Sequence, residues 1–331
     1  MLLRILKSNT LFSTLLIPLI ALAYWMGSLR APGVLDFHQA CGAMPLYYLV
    51  YDALKQSDFL QVFLAFCLVI LNSLFIAQLG SMFLFLRKRS FLPGIIYLIT
   101  VSSLGVLHNL LPVHIATTFV LISLFFIFDT FHKKAEITYT YNAAFFMAIA
   151  TLFYLPVVVL FPLVWISIFV LQKNDNWRLL AVPVLGFGVP WLFMWFYAFM
   201  NNAHEVMWKE LIKMLWIPHN EYLFHPYFLL MTAVVAILTT IGCFSVVDVY
   251  QRIKVSSRKY FVICYWILGL LLLSAVALIS ISIEIVALLT IPVSYFIAQY
   301  LLSDSRPILK EVFTWILVAT TIAVLQLYTY S

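Results

Sequence analysis

The sequence predicts an all-α, polytopic transmembrane helical bundle of about eleven spans. Three observations support this fold class. The 331 residues are 65% hydrophobic and only 10% charged, and the mean hydropathy of +1.06 lies far above that of water-soluble globular proteins. Apolar runs long enough to cross a bilayer recur along the whole chain. The runs are continuous rather than alternating, which excludes a transmembrane β-barrel.

No connection between the apolar segments is long enough for a soluble domain, so residues 1–331 are expected to form one membrane domain.

The fifth and sixth segments are short, so they either cross the bilayer or form a re-entrant hairpin at Pro156. Prolines and glycines in the seventh segment predict a kink. The predicted spans are Thr10–Met26, Phe59–Leu86, Phe91–Leu107, Val113–Asp129, Ala143–Tyr154, the limb ending at Gln172, Leu179–Met200, Tyr227–Val247, Phe261–Ile279, Ile285–Leu302 and Val312–Tyr328.

The distribution of positive charge predicts the orientation of these spans. With eleven spans, 15 of the 19 lysines and arginines fall on one side, and only Arg30, Lys55, Lys209 and Lys213 fall on the other. Loops on the cytoplasmic side of a membrane carry such an excess. We therefore expect a multi-pass protein of the bacterial inner membrane with a cytoplasmic N-terminus and a periplasmic C-terminus. Because the basic residues account for orientation, they do not indicate a nucleic-acid partner.

Two longer segments, residues 29–58 and 201–226, lie on the outer side in this topology. Each is predicted to contain an amphipathic helix lying on the membrane surface, residues 46–54 and 205–217. In the second helix, Trp208 and Trp216 would anchor it at the interface. In the first helix, which would begin after Pro45, one apolar face is formed by Leu46, Leu49, Val50, Ala53 and Leu54.

Groups that can exchange protons near neutral pH are concentrated on the outer side. Six of the seven histidines are there, namely His38, His108, His114, His204, His219 and His225. Seven of the thirteen carboxylates join them, namely Asp36, Asp52, Asp58, Glu205, Glu210, Glu221 and Glu284. Outer loops also carry polar residues for solvation alone, which is the simplest explanation for most of the carboxylates.

Three kinds of site are compatible with this group. A divalent cation could bind His219, Glu221 and His225, although no HExxH or CxxC pattern is present. A haem or quinone site would require paired histidines deep in facing spans, and here they lie at the rim. The third possibility is a pocket for a lipid phosphate, in which a carboxylate acts as the base. Arginine, histidine and lysine side chains would bind the phosphate, and the candidate substrate-binding residues are Arg30, His38, His108, His114, His219, Glu221 and His225.

The overall plan resembles the C-type glycosyltransferase superfamily of integral membrane enzymes. In that superfamily an acidic catalytic residue in the first outward loop precedes amphipathic helices on the membrane surface. The corresponding residues here are Asp36 and then M-P-L-Y-Y-L-V-Y-D-A-L. The paired short helices of that fold are similar to A-A-F-F-M-A-I-A-T-L-F-Y-L-P-V-V-V-L-F-P-L-V-W-I-S-I-F-V-L and N-D-N-W-R-L-L-A-V-P-V-L-G-F-G-V-P. More specifically, Asn142 to Pro190 resembles an uncharacterised family of polytopic inner-membrane proteins from Bacteroidota.

The resemblance implies that Asp36 is the catalytic base and that the substrate is a polyprenyl-phosphate-linked sugar at the periplasmic face. Two departures weaken it, since Asp36 has no acidic neighbour and the chain has no soluble acceptor-binding domain. One alternative is a non-catalytic membrane subunit that docks a membrane or periplasmic partner in envelope assembly or secretion. A small-solute transporter is a third, disfavoured because few ionisable residues lie in mid-span.

The two amphipathic helices predict where the outer site would form. Lying side by side over the spans would bury both apolar stripes and turn both polar faces toward one opening. We then expect Asp36 or His38 to lie within roughly 12 Å of His219, Glu221 or His225, a distance that a head group and water bridge.

Overall fold

The computed structural model describes residues 11–32, 44–83, 90–131, 137–172, 177–202, 205, 207–209, 211, 226–251, 253–277, 283–303 and 307–330. In this part of the chain every regular element is a helix and there is no strand. The α-helices are α1 (Leu11–Arg30), α2 (Pro45–Leu54), α3 (Asp58–Met82), α4 (Leu92–Ser102), α5 (Pro112–Asp129), α6 (Ile137–Phe153), α7 (Pro162–Ser167), α8 (Trp177–Met200), α9 (Pro226–Val249), α10 (Val255–Ala277), α11 (Ile285–Leu302) and α12 (Pro307–Tyr330).

Seven of the described helices are long and apolar enough to cross a membrane, namely α3, α5, α8, α9, α10, α11 and α12. They coincide with the second, fourth and seventh to eleventh predicted spans. The other four predicted spans coincide with shorter apolar helices, Leu15–Arg30, Leu92–Ser102, Ile137–Phe153 and Leu155–Leu171. The all-helical membrane class is therefore supported, and eleven full crossings stay a prediction.

Two helices form the centre of the bundle. Every residue of α4 is buried, and α11 is the most buried of the seven long helices. Helix α4 packs against α1, α3 and α11, while α11 also contacts α5, α9 and α10. On one side of this centre α5, α6 and α8 pack in sequence, and on the other α9 packs against α12.

Glycines allow the closest approaches between these helices. A Cβ added to Gly94 of α4 would lie 2.4 Å from the Ser73 carbonyl oxygen of α3. A Cβ on Gly242 of α9 would lie 2.6 Å from the Phe296 carbonyl oxygen of α11. Small residues at such crossings let the backbones of membrane helices come together, which increases their dispersion contacts.

The short fifth and sixth segments are interrupted where Pro156 predicts a break. Helix α6 ends at Phe153, and a 3₁₀-helix, Leu155–Leu160, precedes α7. Beyond α7 the chain continues as a short π-helix, Ile168–Gln172. Helix α8 continues as one helix through both Pro183 and Pro190, and the kink predicted there stays a prediction.

Helix α2 is present where the sequence predicts it, with Pro45 in its first turn. Its packing face is rotated from the predicted stripe, because Tyr47 is buried and Val50, Tyr51 and Leu54 are half-buried against the bundle. By contrast, Leu49 is 60% exposed. The predicted stripe is therefore divided between the bundle and the surface.

Candidate functional site

Most of the predicted site residues lie outside the described part of the chain. These are Asp36, His38, His219, Glu221 and His225, so their roles and the 12 Å proximity stay predictions. Of the others, Arg30 is the last residue of α1 and is exposed. Among the described residues it has no ion-pair partner, so its guanidinium is available to an anion.

His108 is buried and is the last residue of a 3₁₀-helix, Gly105–His108. Its Nε2 lies 2.8 Å from the Ser102 carbonyl oxygen, and its Nδ1 lies 2.7 Å from Ser28 Oγ. Because a carbonyl only accepts, Nε2 carries the proton and donates, and Ser28 donates its hydroxyl proton to Nδ1. The ring stacks on Trp25 with a centroid separation of 4.2 Å. Burial lowers the pKa of His108 to about 4, so the imidazole is neutral at neutral pH.

His114, near the start of α5, is also buried. Its Nε2 donates to the Leu107 carbonyl oxygen at 2.9 Å, while its Nδ1 has no hydrogen-bond partner. Its own carbonyl oxygen accepts from Asn72 Nδ2 of α3 at 3.0 Å. The side-chain oxygen of Asn72 in turn accepts from Thr118 at 2.8 Å. His114 is thus part of a buried polar network that joins α3 to α5.

Both histidines support the connection between α4 and α5, residues 104–111, which contains the 3₁₀-helix and whose eight residues are all buried. A buried irregular backbone is stable only where its polar groups find partners inside the protein. The Leu107 carbonyl accepts from His114, and the Leu110 carbonyl accepts from the Tyr47 hydroxyl of α2 at 2.7 Å. As the structure stands, the histidines bind backbone groups of the protein, and phosphate binding by them stays a prediction.

A buried carboxyl group lies at the same end of the bundle. Glu284 precedes α11 and is 3% exposed, and its Oε2 has no hydrogen-bond partner. Burial raises the pKa of Glu284 to about 8, so the carboxyl is protonated at neutral pH. It lies near Tyr47, whose pKa is raised first by burial and then by the Glu284 charge.

The sequence places Glu284 among the outer carboxylates and assigns it no catalytic or binding role. Its neighbours, in I-S-I-E-I-V, are mostly apolar and β-branched, which is the one local signal that could have indicated burial. A short turn between two spans usually exposes its charged residue, so the burial of Glu284 follows from tertiary packing.

The two predicted outer helices share a small apolar cluster. The cluster is formed by Met44, Leu152 and Leu155. Two further residues pack against it, Leu46 of α2 and Leu211. Residues 205, 207–209 and 211 are helical, as the stripe in residues 205–217 predicts. The two outer segments therefore come to a common point on the bundle.

The described residues contain no group of three or more His, Cys, Asp or Glu side chains that could hold a metal ion. The divalent cation at His219, Glu221 and His225 is outside that search and stays a prediction. What the described residues offer chemically is one unpaired guanidinium, one neutral buried acid and hydrogen-bonding groups around residues 104–111.

Comparison with protein-family models, with curated proteins and with solved structures finds no match to this chain.

Proposed function

We propose that this chain is an integral membrane protein of the C-type glycosyltransferase kind, which binds or acts on a polyprenyl-phosphate-linked sugar at the periplasmic face of a bacterial inner membrane. In this proposal Arg30 binds the lipid phosphate, together with His38, His219 and His225, and Asp36 takes the proton of the acceptor hydroxyl. His108 and His114 hold the 104–111 segment in place beneath the site.

The observation that supports this proposal best is the position of α2. It follows the loop that contains Asp36, and Tyr47 attaches it to the Leu110 carbonyl. Ser28, two residues before Arg30, bonds to His108 in the same segment. Arg30 and α2 are therefore held at one end of the bundle, where an anionic head group and its acyl chain could meet a cation and an apolar helix.

Lipid binding by the purified protein in nanodiscs tests this proposal, with polyprenyl phosphate as the probe. We expect Arg30→Ala to weaken binding about tenfold, as the loss of one charge-assisted contact does. Lys55→Ala is the matched control, because Lys55 is an exposed cation that pairs with Asp52 at 2.9 Å. Absence of binding by the wild-type protein, or equal losses in both variants, would overturn the assignment.

The catalytic part has a separate test. Asp36→Asn should leave polyprenyl phosphate binding within about twofold and abolish transfer of the sugar to an acceptor, because the amide cannot accept the proton. Transfer that persists in Asp36→Asn would exclude Asp36 as the base.

The alternative, a non-catalytic docking subunit, is favoured by one observation. Helix α8 is the least buried of the seven long helices, and its second half exposes Phe193, Trp195 and Phe196. Lipid contact also accounts for such a face. A photocrosslinker at Phe193 should capture one defined protein in cells, and the same group at Ile316, an exposed position of α12, should not.

A further inference from the structure

Glu284 is the one buried acid among the carboxylates that the structure describes. Its Oε2 has no hydrogen-bond partner. An unpaired polar atom in an apolar interior destabilises the folded state. Such a group calls for an explanation, and binding of a ligand is one.

Capping of a helix does not supply the explanation. Glu284 occupies the position before α11, but its side chain makes no capping hydrogen bond. Only its backbone carbonyl participates, accepting from the Ala287 amide at 3.0 Å. Capping of α11 therefore does not explain why the Glu284 carboxyl is buried.

Glu284 lies at the end of the bundle where α2 packs, and burial is the cause that raises its pKa. Tyr47 is close enough to interact electrostatically with it, and the Tyr47 hydroxyl already donates to Leu110. Burial keeps the carboxyl protonated at neutral pH, since its pKa is raised to about 8. A neutral acid donates one hydrogen bond and accepts others, which matches a hydroxyl group, itself both a donor and an acceptor.

We propose that Glu284 binds a hydroxyl of an uncharged sugar head group, with Tyr47 beside it. This inference rests on the proposed function and deepens it, because it separates two parts of one ligand: the phosphate at Arg30 and the sugar at Glu284. Because Glu284 is 3% exposed, the hexose reaches its carboxyl only when the packing around it opens.

Binding of two probes to the full-length protein in nanodiscs tests the inference. One probe is polyprenyl phosphate, and the other is the same lipid phosphate carrying a single hexose. Glu284→Leu should weaken binding of the hexose lipid about tenfold and change binding of the bare lipid phosphate less than about twofold, as expected for one lost hydrogen-bonding group. Glu284→Gln, which still donates and accepts, should stay within about threefold of the wild type for both. Asp52→Leu, at an exposed acid of α2, is the control and should change neither.

The outcomes separate the two proposals. If the wild-type protein binds neither lipid, the proposed function fails. If it binds both and Glu284→Leu weakens neither, or both equally, only the assignment of Glu284 fails. A structural role for the carboxyl predicts a lower thermal midpoint in Glu284→Leu, whereas removal of an unpaired buried acid should leave the midpoint unchanged or raise it.

Infrared difference spectroscopy provides a second measurement that does not depend on Glu284→Leu folding. In the wild-type protein the hexose lipid should shift the C=O stretching band of a protonated carboxyl, and polyprenyl phosphate alone should not. The band should be absent from the difference spectrum of Glu284→Gln. A carboxyl band that responds equally to both lipids, or to neither, would overturn the inference.

Discussion

The close approach of α4 to α3 predicts opposite effects for two Gly→Ala substitutions. At Gly94 an added Cβ would lie 2.4 Å from the Ser73 carbonyl oxygen and 2.9 Å from Ala77 Cβ. At Gly269, in α10, an added Cβ would meet nothing within 4 Å. Gly94 is the third residue of α4 and Gly269 lies in the middle of α10, so the helix preference of alanine contributes at most about 1 kcal/mol at either position. The difference between them therefore measures the packing of α4 on α3.

The magnitude follows from the contacts at each position. Overfilling a packed interior costs about 1–3 kcal/mol. Moving α4 outward also strains the bond from Ser73 Oγ to the Gly94 carbonyl, which is 2.9 Å long and contributes about 1 kcal/mol. Against this, alanine is favoured over glycine in a helix by about 1 kcal/mol. We expect Gly94→Ala to destabilise the protein by about 1–3 kcal/mol and Gly269→Ala to stabilise it by up to about 1 kcal/mol.

Thermal unfolding of the nanodisc-embedded protein, followed by tryptophan fluorescence, checks both signs. Gly242→Ala repeats the test at α9 and α11, since its Cβ would lie 2.6 Å from the Phe296 carbonyl oxygen. It should lower the thermal midpoint as Gly94→Ala does. A midpoint for Gly94→Ala equal to or above that of Gly269→Ala would refute the argument that α4 and α3 touch through their backbones.

Three further predictions concern the site and the orientation. Folding raises the pKa of Glu284, so the folded state binds more protons than the unfolded state and stability should fall as pH rises from about 5 to 8. Glu284→Gln should flatten this dependence of the thermal midpoint. Tyr47→Phe leaves the Leu110 carbonyl without its side-chain donor and should destabilise the protein by about 1 kcal/mol or more; Tyr51→Phe, at a neighbouring half-buried ring, should not. An impermeant thiol reagent added outside should label Asn220→Cys and not Lys88→Cys, and labelling at position 88 would reverse the predicted orientation.

The positions of the helices followed from local properties of the sequence. Continuous apolar runs identify membrane helices because the bilayer core supplies no partners for backbone groups, which forces each run into a helix. Pro45 and Pro156 mark a helix start and a break for an equally local reason, the missing amide proton of proline. These features need no knowledge of neighbouring elements, so the sequence was sufficient to predict them.

The site depended on contacts that no local pattern contains. The sequence places His108 on the outer side, but no local pattern indicates its hydrogen bond to Ser28, which is 80 positions away in the chain. A short turn between two apolar segments usually exposes its charged residue, yet Glu284 is buried, and the tertiary packing around the turn decides this. Burial is a property of the assembled bundle, since it depends on which helices cover a turn. The sequence by itself determined the apolar helices of this protein, and the tertiary structure decided which of its polar groups are enclosed between them.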